Sequence, residues 1–291
     1  GNGYMLRVLR LELRKAFHNW LFLITLGIAG VIALWSGISV ILAYYYDLKM
    51  MALRAEVLNA AVNPGHSVIT LFNKWIGQDY IAMATSLFYT LLPILAVLPY
   101  AWSYFSERKS GYVKLIVTRT HRNTYFLSKY AATFVSGALV ITVPMALNFM
   151  LVSAFIPASP PDVYYDMYYT MPMDAMGSAF FYEHPYLFIL FRFCLAALFA
   201  GLIAVSVIAL SFFVRNRFAV LLSPFLALIV INYFSGMLSQ YTNRVEISPI
   251  KFIHGGNLGV PKLWVALLYA TVLFLVSFVI TMWKGRKTDV F

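Results

Sequence analysis

Long apolar stretches alternate with short polar segments along the chain. A bilayer core about 30 Å thick is crossed by roughly 20 consecutive, mostly apolar helical residues. Six stretches reach that length and predict membrane-spanning helices, at about residues 20–46, 80–105, 125–156, 186–214, 218–238 and 263–283. The expected fold class is therefore an all-α polytopic membrane protein, in which residues 1–291 form a single transmembrane domain.

The composition agrees with lipid as the main surroundings of the chain. Hydrophobic residues make up 62% of the sequence and charged residues only 11%. Soluble domains are about 45–50% apolar and about 25% charged. A soluble fold of this length could not bury so much apolar surface, which excludes an ordinary globular domain.

The distribution of charge predicts the orientation. Six spans place residues 1–19, 106–124, 215–217 and 284–291 on one side of the membrane. Together with Lys129, these segments hold 15 of the 22 basic residues but only 3 of the 11 acidic ones. The positive-inside rule assigns this side, and with it the N and C termini, to the cytoplasm. The net charge of +11 thus reflects topology, and no nucleic-acid partner is expected.

Three segments outside the spans show a pattern of their own. Residues 6–19 carry one apolar stripe beside a basic flank, which predicts an interfacial helix that runs into the first span. This helix would act either as a topological anchor or as an elbow that braces a cytoplasmic partner. Helical spacing in residues 48–62 predicts an outer-surface helix that ends at Asn63-Pro64-Gly65. Residues 239–262 are rich in Gly and Pro and predict an irregular or re-entrant outer loop.

Motifs for catalysis or metal binding are sparse. The glycine cluster Gly255–Gly259 lacks the Lys-Ser/Thr pair of a phosphate-binding loop, and no H-E-x-x-H zinc motif occurs. The single cysteine, Cys194, excludes an intrachain disulfide and is expected to be a small buried apolar residue. We therefore expect no catalytic residue, no metal site and no cofactor on this chain.

Three polar residues within the spans are candidates for a substrate path. Arg192 lies close enough to the outer end of its span to snorkel to the headgroups, and a role in the substrate path is the alternative. Asn148 and Asn232 are expected to form helix–helix hydrogen bonds, with ligand contact as the alternative.

The loop of residues 106–124 combines charge with apolar side chains. Glu107 stands at the membrane exit, and four apolar residues follow within the loop: Tyr112, Val113, Leu115 and Ile116. Exposed apolar residues on so short a loop indicate contact either with lipid or with a groove in a partner protein.

This loop resembles the coupling-helix region of type-2 ATP-binding cassette (ABC) transporter permeases. The family pattern begins with Glu, continues with Gly and an aromatic residue and then with aliphatic residues, and ends with Arg and Lys. This sequence has the same order: Glu107, Gly111-Tyr112, Leu115-Ile116-Val117, Arg122 and Lys129. The sequence departs from the family pattern at Thr118–His121, where many relatives have a proline. The interfacial helix, six spans and short basic tail also resemble this family.

The resemblance implies a permease subunit of an ATP-driven exporter for a lipophilic or amphipathic substrate, in a bacterial plasma membrane. It implies separate cytoplasmic ABC ATPase subunits, which would hold ATP and Mg, and a second permease in a homodimer or heterodimer. The residues that would couple the chain to the ATPase are Glu107, Gly111, Tyr112, Lys114, Leu115, Ile116 and Arg122.

Two other classes of protein compete with the permease. An intramembrane hydrolase would need several convergent ionisable residues at membrane depth, and the sequence offers essentially Arg192. A non-transporting membrane sensor or immunity protein would bind an outside ligand through the tyrosine-rich residues 162–170.

Overall fold

The computed structural model describes residues 2–61, 69–162, 171, 173–254 and 260–287. Most of these residues are helical. The helices are α1 (Asn2–Phe17), α2 (Trp20–Leu58), α3 (Leu71–Lys74), α4 (Met83–Val97), α5 (Ser103–Lys109), α6 (Tyr112–Arg119), α7 (Arg122–Phe155), α8 (Ser178–Glu183), α9 (Pro185–Leu210), α10 (Arg217–Ser239), α11 (Pro249–Ile253) and α12 (Leu263–Lys287).

Five of these helices, α2, α7, α9, α10 and α12, are long and apolar enough to cross a membrane. They coincide with five of the six predicted spans, and the chain is a helical, multi-pass membrane protein. Their outer surfaces carry many large exposed apolar side chains, as a lipid environment requires.

The second predicted span, residues 80–105, is not one helix. Helix α4 has 15 residues and spans only about 22 Å, which is less than the bilayer core. A turn over residues 98–102 separates it from α5. Pro99 lies in this turn and has no backbone N–H for a helical hydrogen bond. The prediction of one continuous helix is therefore wrong.

The first span is longer than predicted. Helix α2 has 39 residues and continues past residue 46, so the predicted outer helix of residues 48–62 is an extension of the span. It ends at Leu58, where Asn59 adopts a left-handed conformation with φ 47°. The predicted stop at Asn63-Pro64-Gly65 lies outside the described residues, and so do residues 163–170 of the tyrosine-rich loop.

Helix α1 is separate from α2, and its buried face combines Glu12 with part of the apolar stripe. Asn19 caps α2 by accepting a hydrogen bond from the Leu21 amide at 3.1 Å, and α1 ends before it. Glu12 and Ala16 are fully buried, whereas Leu6 at the start of the stripe is 64% exposed. The buried face packs on α7, where Glu12 pairs with Lys129.

Helix α7 is the centre of the bundle and packs against α1, α2, α4, α9 and α12. Gly137 permits a close crossing of α7 with α9. A Cβ atom at this position would lie 2.6 Å from the Ala204 Cβ and 3.1 Å from the Ala200 carbonyl oxygen of α9. Since neither atom can move away without moving a helix, this position requires glycine.

Candidate functional sites

Four charged side chains from three helices meet on the side of the bundle that the charge pattern predicts to be cytoplasmic. We refer to Glu12, Lys15, Glu107 and Lys129 as the ion cluster. The Lys129 Nζ lies 2.9 Å from a Glu12 carboxylate oxygen and 3.0 Å from one of Glu107. The Lys15 Nζ lies 2.9 Å from Glu12 and 3.2 Å from Glu107. Each lysine thus bridges both carboxylates.

Hydroxyl groups complete the shell of the ion cluster. Tyr100 donates a hydrogen bond to Glu12, and Tyr125 donates one to Glu107 at 2.6 Å. The Lys129 ammonium also donates to the Tyr100 hydroxyl at 3.0 Å and to the Ser103 hydroxyl at 3.1 Å. The Glu12 and Lys129 side chains are fully buried, and this dense pairing is what makes such burial tolerable.

The electrostatics of the two members on α1 follow from this geometry. Burial by itself would raise the pKa of Glu12, but Lys129 and Lys15 outweigh burial and lower it below the usual value. Burial would likewise lower the pKa of Lys15, but Glu12 and Glu107 raise it above the usual value. Both groups are therefore charged at neutral pH.

The sequence does not predict that these four ionisable residues converge. The sequence places Lys129 near the start of a span, and it marks Glu107 through the family pattern, but nothing in it points to Glu12 as their partner. Helical periodicity indicates which residues share a face and does not indicate what that face meets. Every member of the cluster is paired with an opposite charge.

The predicted coupling residues lie on α5, α6 and the junction between them, except Arg122, which begins α7. Gly111 joins the two helices with φ 76°, a left-handed conformation that favours glycine. Lys15 lies 4.6 Å from the centre of the Tyr112 ring. At the other end of the loop, Arg122 donates a hydrogen bond to the Arg286 carbonyl at 2.9 Å, which links α7 to the end of α12.

The apolar residues of this loop are mostly turned inward. Val113 is buried at 3% exposure in a cluster with Tyr104 and Phe126, and Ile116 packs partly against the same cluster. Leu115 is 67% exposed and is the one member of the apolar set that stands clear of the protein. The prediction of four exposed apolar side chains is therefore wrong, because α6 uses one face to pack against α5 and α7.

A cleft of about 720 Å³ lies beside the C-terminal end of α6. It is lined by Tyr4 and by residues 117–122 and 124, among them two arginines and no acidic residue. The Tyr4 hydroxyl donates to the Arg119 carbonyl at 2.8 Å or to the Thr120 hydroxyl at 2.9 Å. The start of α1 thereby contacts the same loop that the ion cluster holds.

Arg192 does not reach the surface as its position near the end of a span suggests. It is 2% exposed, and its guanidinium group donates to the Phe252 carbonyl of α11 at 2.8 Å. The guanidinium carbon also lies 4.9 Å from the centre of the Phe188 ring. The prediction of snorkelling is wrong because α11 folds back into the bundle with most of its residues buried and meets Arg192 there.

The two asparagines of the predicted substrate path occupy different environments. Asn148 is fully buried, donates to the Ala33 carbonyl of α2 at 2.8 Å and accepts from the Ile76 amide at 2.7 Å. Its contact with α2 is the expected helix–helix hydrogen bond. Asn232 accepts a hydrogen bond from Ser248 and lines a cavity.

This cavity, which we call the α4–α10 cavity, has a volume of about 430 Å³. Helices α4 and α10 and the segment of residues 246–254 enclose it. Its lining consists of Tyr80, Ser86, Tyr89, Thr90, Pro93, Phe225, Leu228, Ile229, Asn232, Glu246, Ile250, Lys251 and His254. The volume is in the range of small-molecule sites, which are typically apolar with a few polar groups.

Two sets of polar groups in the lining of the α4–α10 cavity are held by different helices. Ser235 of α10 donates to the Glu246 carboxylate at 2.7 Å. The His254 ring stacks on Tyr89 of α4 with 4.2 Å between ring centres, and its Nε2 lies 2.5 Å from the Asp79 carbonyl oxygen. Burial lowers the pKa of His254 to about 4, so this ring is neutral at pH 7.

Other chemistry is limited in the part of the chain that the structure describes. Within it, no group of three or more His, Cys, Asp or Glu side chains is arranged to hold a metal ion. Cys194 is exposed on α9, so its expected burial is wrong. The chain matches no protein-family model, no curated protein and no solved structure.

Proposed function

We propose that this chain is a permease subunit of an ABC exporter that is driven by separate cytoplasmic ATPase subunits. The observation that carries the proposal is the ion cluster. Through Glu107, it joins the loop that resembles a coupling helix to the first helix and to the central helix of the bundle. A loop built only to connect two spans has no need of buried charge at its base.

The arrangement supports a mechanism in which force enters at α6 and leaves through α7. Movement of α5 and α6 would shift Glu107, and Lys129 would transmit this shift to α7 because the two side chains are paired at 3.0 Å. Lys15 would carry it to α1 in the same way. An ATPase that binds one position of the loop better than another would thereby bias the bundle between two conformations.

The contact surface for the ATPase would centre on Leu115. Its neighbour Lys114 is also exposed, and the basic cleft beside α6 offers further room for a partner's side chains. Tyr112, Val113 and Ile116 would act from within, by holding α6 against the bundle.

The proposed topology has six crossings and both termini in the cytoplasm. Helix α4, the turn at residues 98–102 and α5 would together make the second crossing. The chain would pair with a second permease, identical or related, in a bacterial plasma membrane. The apolar character of α10 and α12, which are the least buried of the long helices, is compatible with a lipid boundary and with a second subunit.

The test is the substitution Leu115→Asp. The purified chain would be captured together with the candidate P-loop ATPases encoded by its genomic neighbours, and ATPase activity would be measured in liposomes. We expect association to weaken about tenfold or more, as for a central interface residue, with thermal stability unchanged because the side chain is exposed. The matched control is Phe213→Asp, at another exposed apolar position, 59% exposed, which should have no effect. Equal ATPase capture by the wild type and Leu115→Asp would contradict the proposal.

A further inference from the structure

Glu246 is a buried carboxylate whose charge has no evident counterpart. It is 5% exposed and accepts one side-chain hydrogen bond, from Ser235 at 2.7 Å. Within the described ranges, no Lys, Arg or His side chain lies within 4.0 Å of its oxygens. A buried charge without a partner is unfavourable by several kcal/mol unless a ligand or a proton compensates it. The ion cluster shows how completely this chain pairs its other buried acids.

The position of Glu246 decides what could compensate it. Its side chain forms part of the wall of the α4–α10 cavity, so a group that enters the cavity can reach it. Three aromatic side chains, Tyr80, Tyr89 and Phe225, line the same cavity. A carboxylate together with aromatic rings is the combination that recognises an ammonium group.

The lining of the cavity also contains a positive charge. Lys251 and His254 both lie in the lining, and Lys251 and Arg192 act electrostatically on His254. A ligand that carried only a positive charge would be repelled there. A ligand with an anionic group would instead be attracted, because phosphate and carboxylate groups pair with ammonium and guanidinium groups.

We propose that the α4–α10 cavity binds a zwitterionic amphiphile. Its ammonium group would pair with Glu246, and its phosphate or carboxylate group would face Lys251. Its apolar part would lie along Phe225, Leu228 and Ile229. The binding site does not depend on the proposed function, but the identification of this ligand with the exported substrate rests on it.

The zwitterionic ligand could be a phospholipid of the surrounding bilayer or a transported molecule. One probe tests binding of either kind. The full-length chain would be placed in nanodiscs of phosphatidylglycerol, which carry no zwitterionic lipid. Binding of lauroyl-lysophosphatidylethanolamine would be measured by calorimetry against empty nanodiscs. Lauroyl-lysophosphatidylglycerol and dodecylamine provide an anion and a cation with the same chain length.

The variants Glu246→Gln and Lys251→Gln each remove one charge from the cavity. We expect each to weaken binding of the zwitterion about tenfold or more, since each removes a charged hydrogen bond. Glu246→Gln retains an acceptor for Ser235 and removes an unpaired charge, so its melting temperature should not fall. The matched controls are Glu56→Gln and Lys49→Gln, which remove the same charges from exposed positions on α2 and should bind as the wild type does.

Two results would overturn the proposal. One is binding of the zwitterion by Glu246→Gln with wild-type affinity. The other is binding of dodecylamine as tightly as the zwitterion, with no change in the variant Lys251→Gln. Nanodiscs with added phosphatidylethanolamine separate the two sources. If the natural ligand is a resident lipid, the added lipid would compete with the probe. If the natural ligand is an exported molecule, the probe would bind despite the added lipid. None of these measurements involves an ATPase, so a failure here is distinguishable from a failure of ATPase capture.

Discussion

Removal of the Lys129 ammonium tests whether the ion cluster holds the bundle together. The substitution Lys129→Met keeps most of the apolar stem and removes a group that pairs with Glu12 at 2.9 Å and with Glu107 at 3.0 Å. It also removes donors to Tyr100 and Ser103. Glu12, which is fully buried, would then depend on one lysine instead of two.

The structure sets the expected magnitude. Breaking a buried ion pair by removal of one partner lowers the free energy of unfolding by roughly 3–5 kcal/mol. Lys15 still contacts both carboxylates and is 29% exposed, so water and Lys15 offset part of the loss. We therefore expect a decrease of about 3 kcal/mol, which changes the unfolding equilibrium by more than 100-fold.

The assay is unfolding of the purified chain in mixed micelles with a rising fraction of SDS, followed by tryptophan fluorescence. The matched control is Lys109→Met, since Lys109 is an exposed lysine at the end of α5. This control should lie within about 0.5 kcal/mol of the wild type, as is usual for surface substitutions.

A double variant distinguishes pairing from a general packing effect. Glu12→Gln combined with Lys129→Met removes a carboxylate together with its partner, so the combined loss should be smaller than the sum of the single losses by about 1 kcal/mol or more. The reasoning is refuted if Lys129→Met is as stable as Lys109→Met. It is also refuted if the losses of Glu12→Gln and Lys129→Met simply add.

Two further predictions concern packing and pH. Gly137→Ala should lower the free energy of unfolding by about 1–3 kcal/mol, because the new Cβ atom would lie 2.6 Å from a side chain of α9. Gly27→Ala is the control, since nothing lies within 4 Å of its new atom. Equal stability of the two variants would contradict the packing argument. The folded-state pKa of His254 is about 4 and its ordinary value is 6.5, so the unfolded chain binds the proton first as the pH falls. The chain should therefore lose about 1–2 kcal/mol of stability between pH 7.5 and pH 5. His254→Asn should remove most of this pH dependence in the same unfolding assay. If stability falls with pH equally steeply in the variant, the effect belongs to another group.

Much of the helical framework could be predicted from the sequence because it depends on local length and hydropathy. Residues 218–238 and 263–283 were expected as spans, and helices α10 and α12 contain them with small extensions. The interruption of the second span is harder to predict, because its apolar run continues through residue 102. The turn there depends on the backbone of Pro99, and many proline-containing helices in membranes are kinked without being interrupted. Pro144 illustrates this, since it lies inside the unbroken helix α7.

The charged sites could be predicted only as separate residues. Glu107 and Lys129 stand in a recognisable pattern, and Arg192 stands out as a charge within a span. Their partners are a glutamate from the first helix in one case and a backbone carbonyl of α11 in the other. Glu246 carries no signal at all in a polar loop, and it becomes notable only because the fold buries it at the wall of a cavity.

The sequence by itself determined that this protein is a bundle of apolar helices in a membrane, and it indicated the side on which basic residues collect. These properties follow from the hydropathy and charge of successive residues, because each residue interacts with the same lipid and water whatever its tertiary contacts. Only the tertiary structure decided which charges are neutralised, which face of α6 is exposed and where a cavity remains. Those outcomes depend on distances between helices far apart in the chain, because the energy of a charge changes with burial and with the position of its partner.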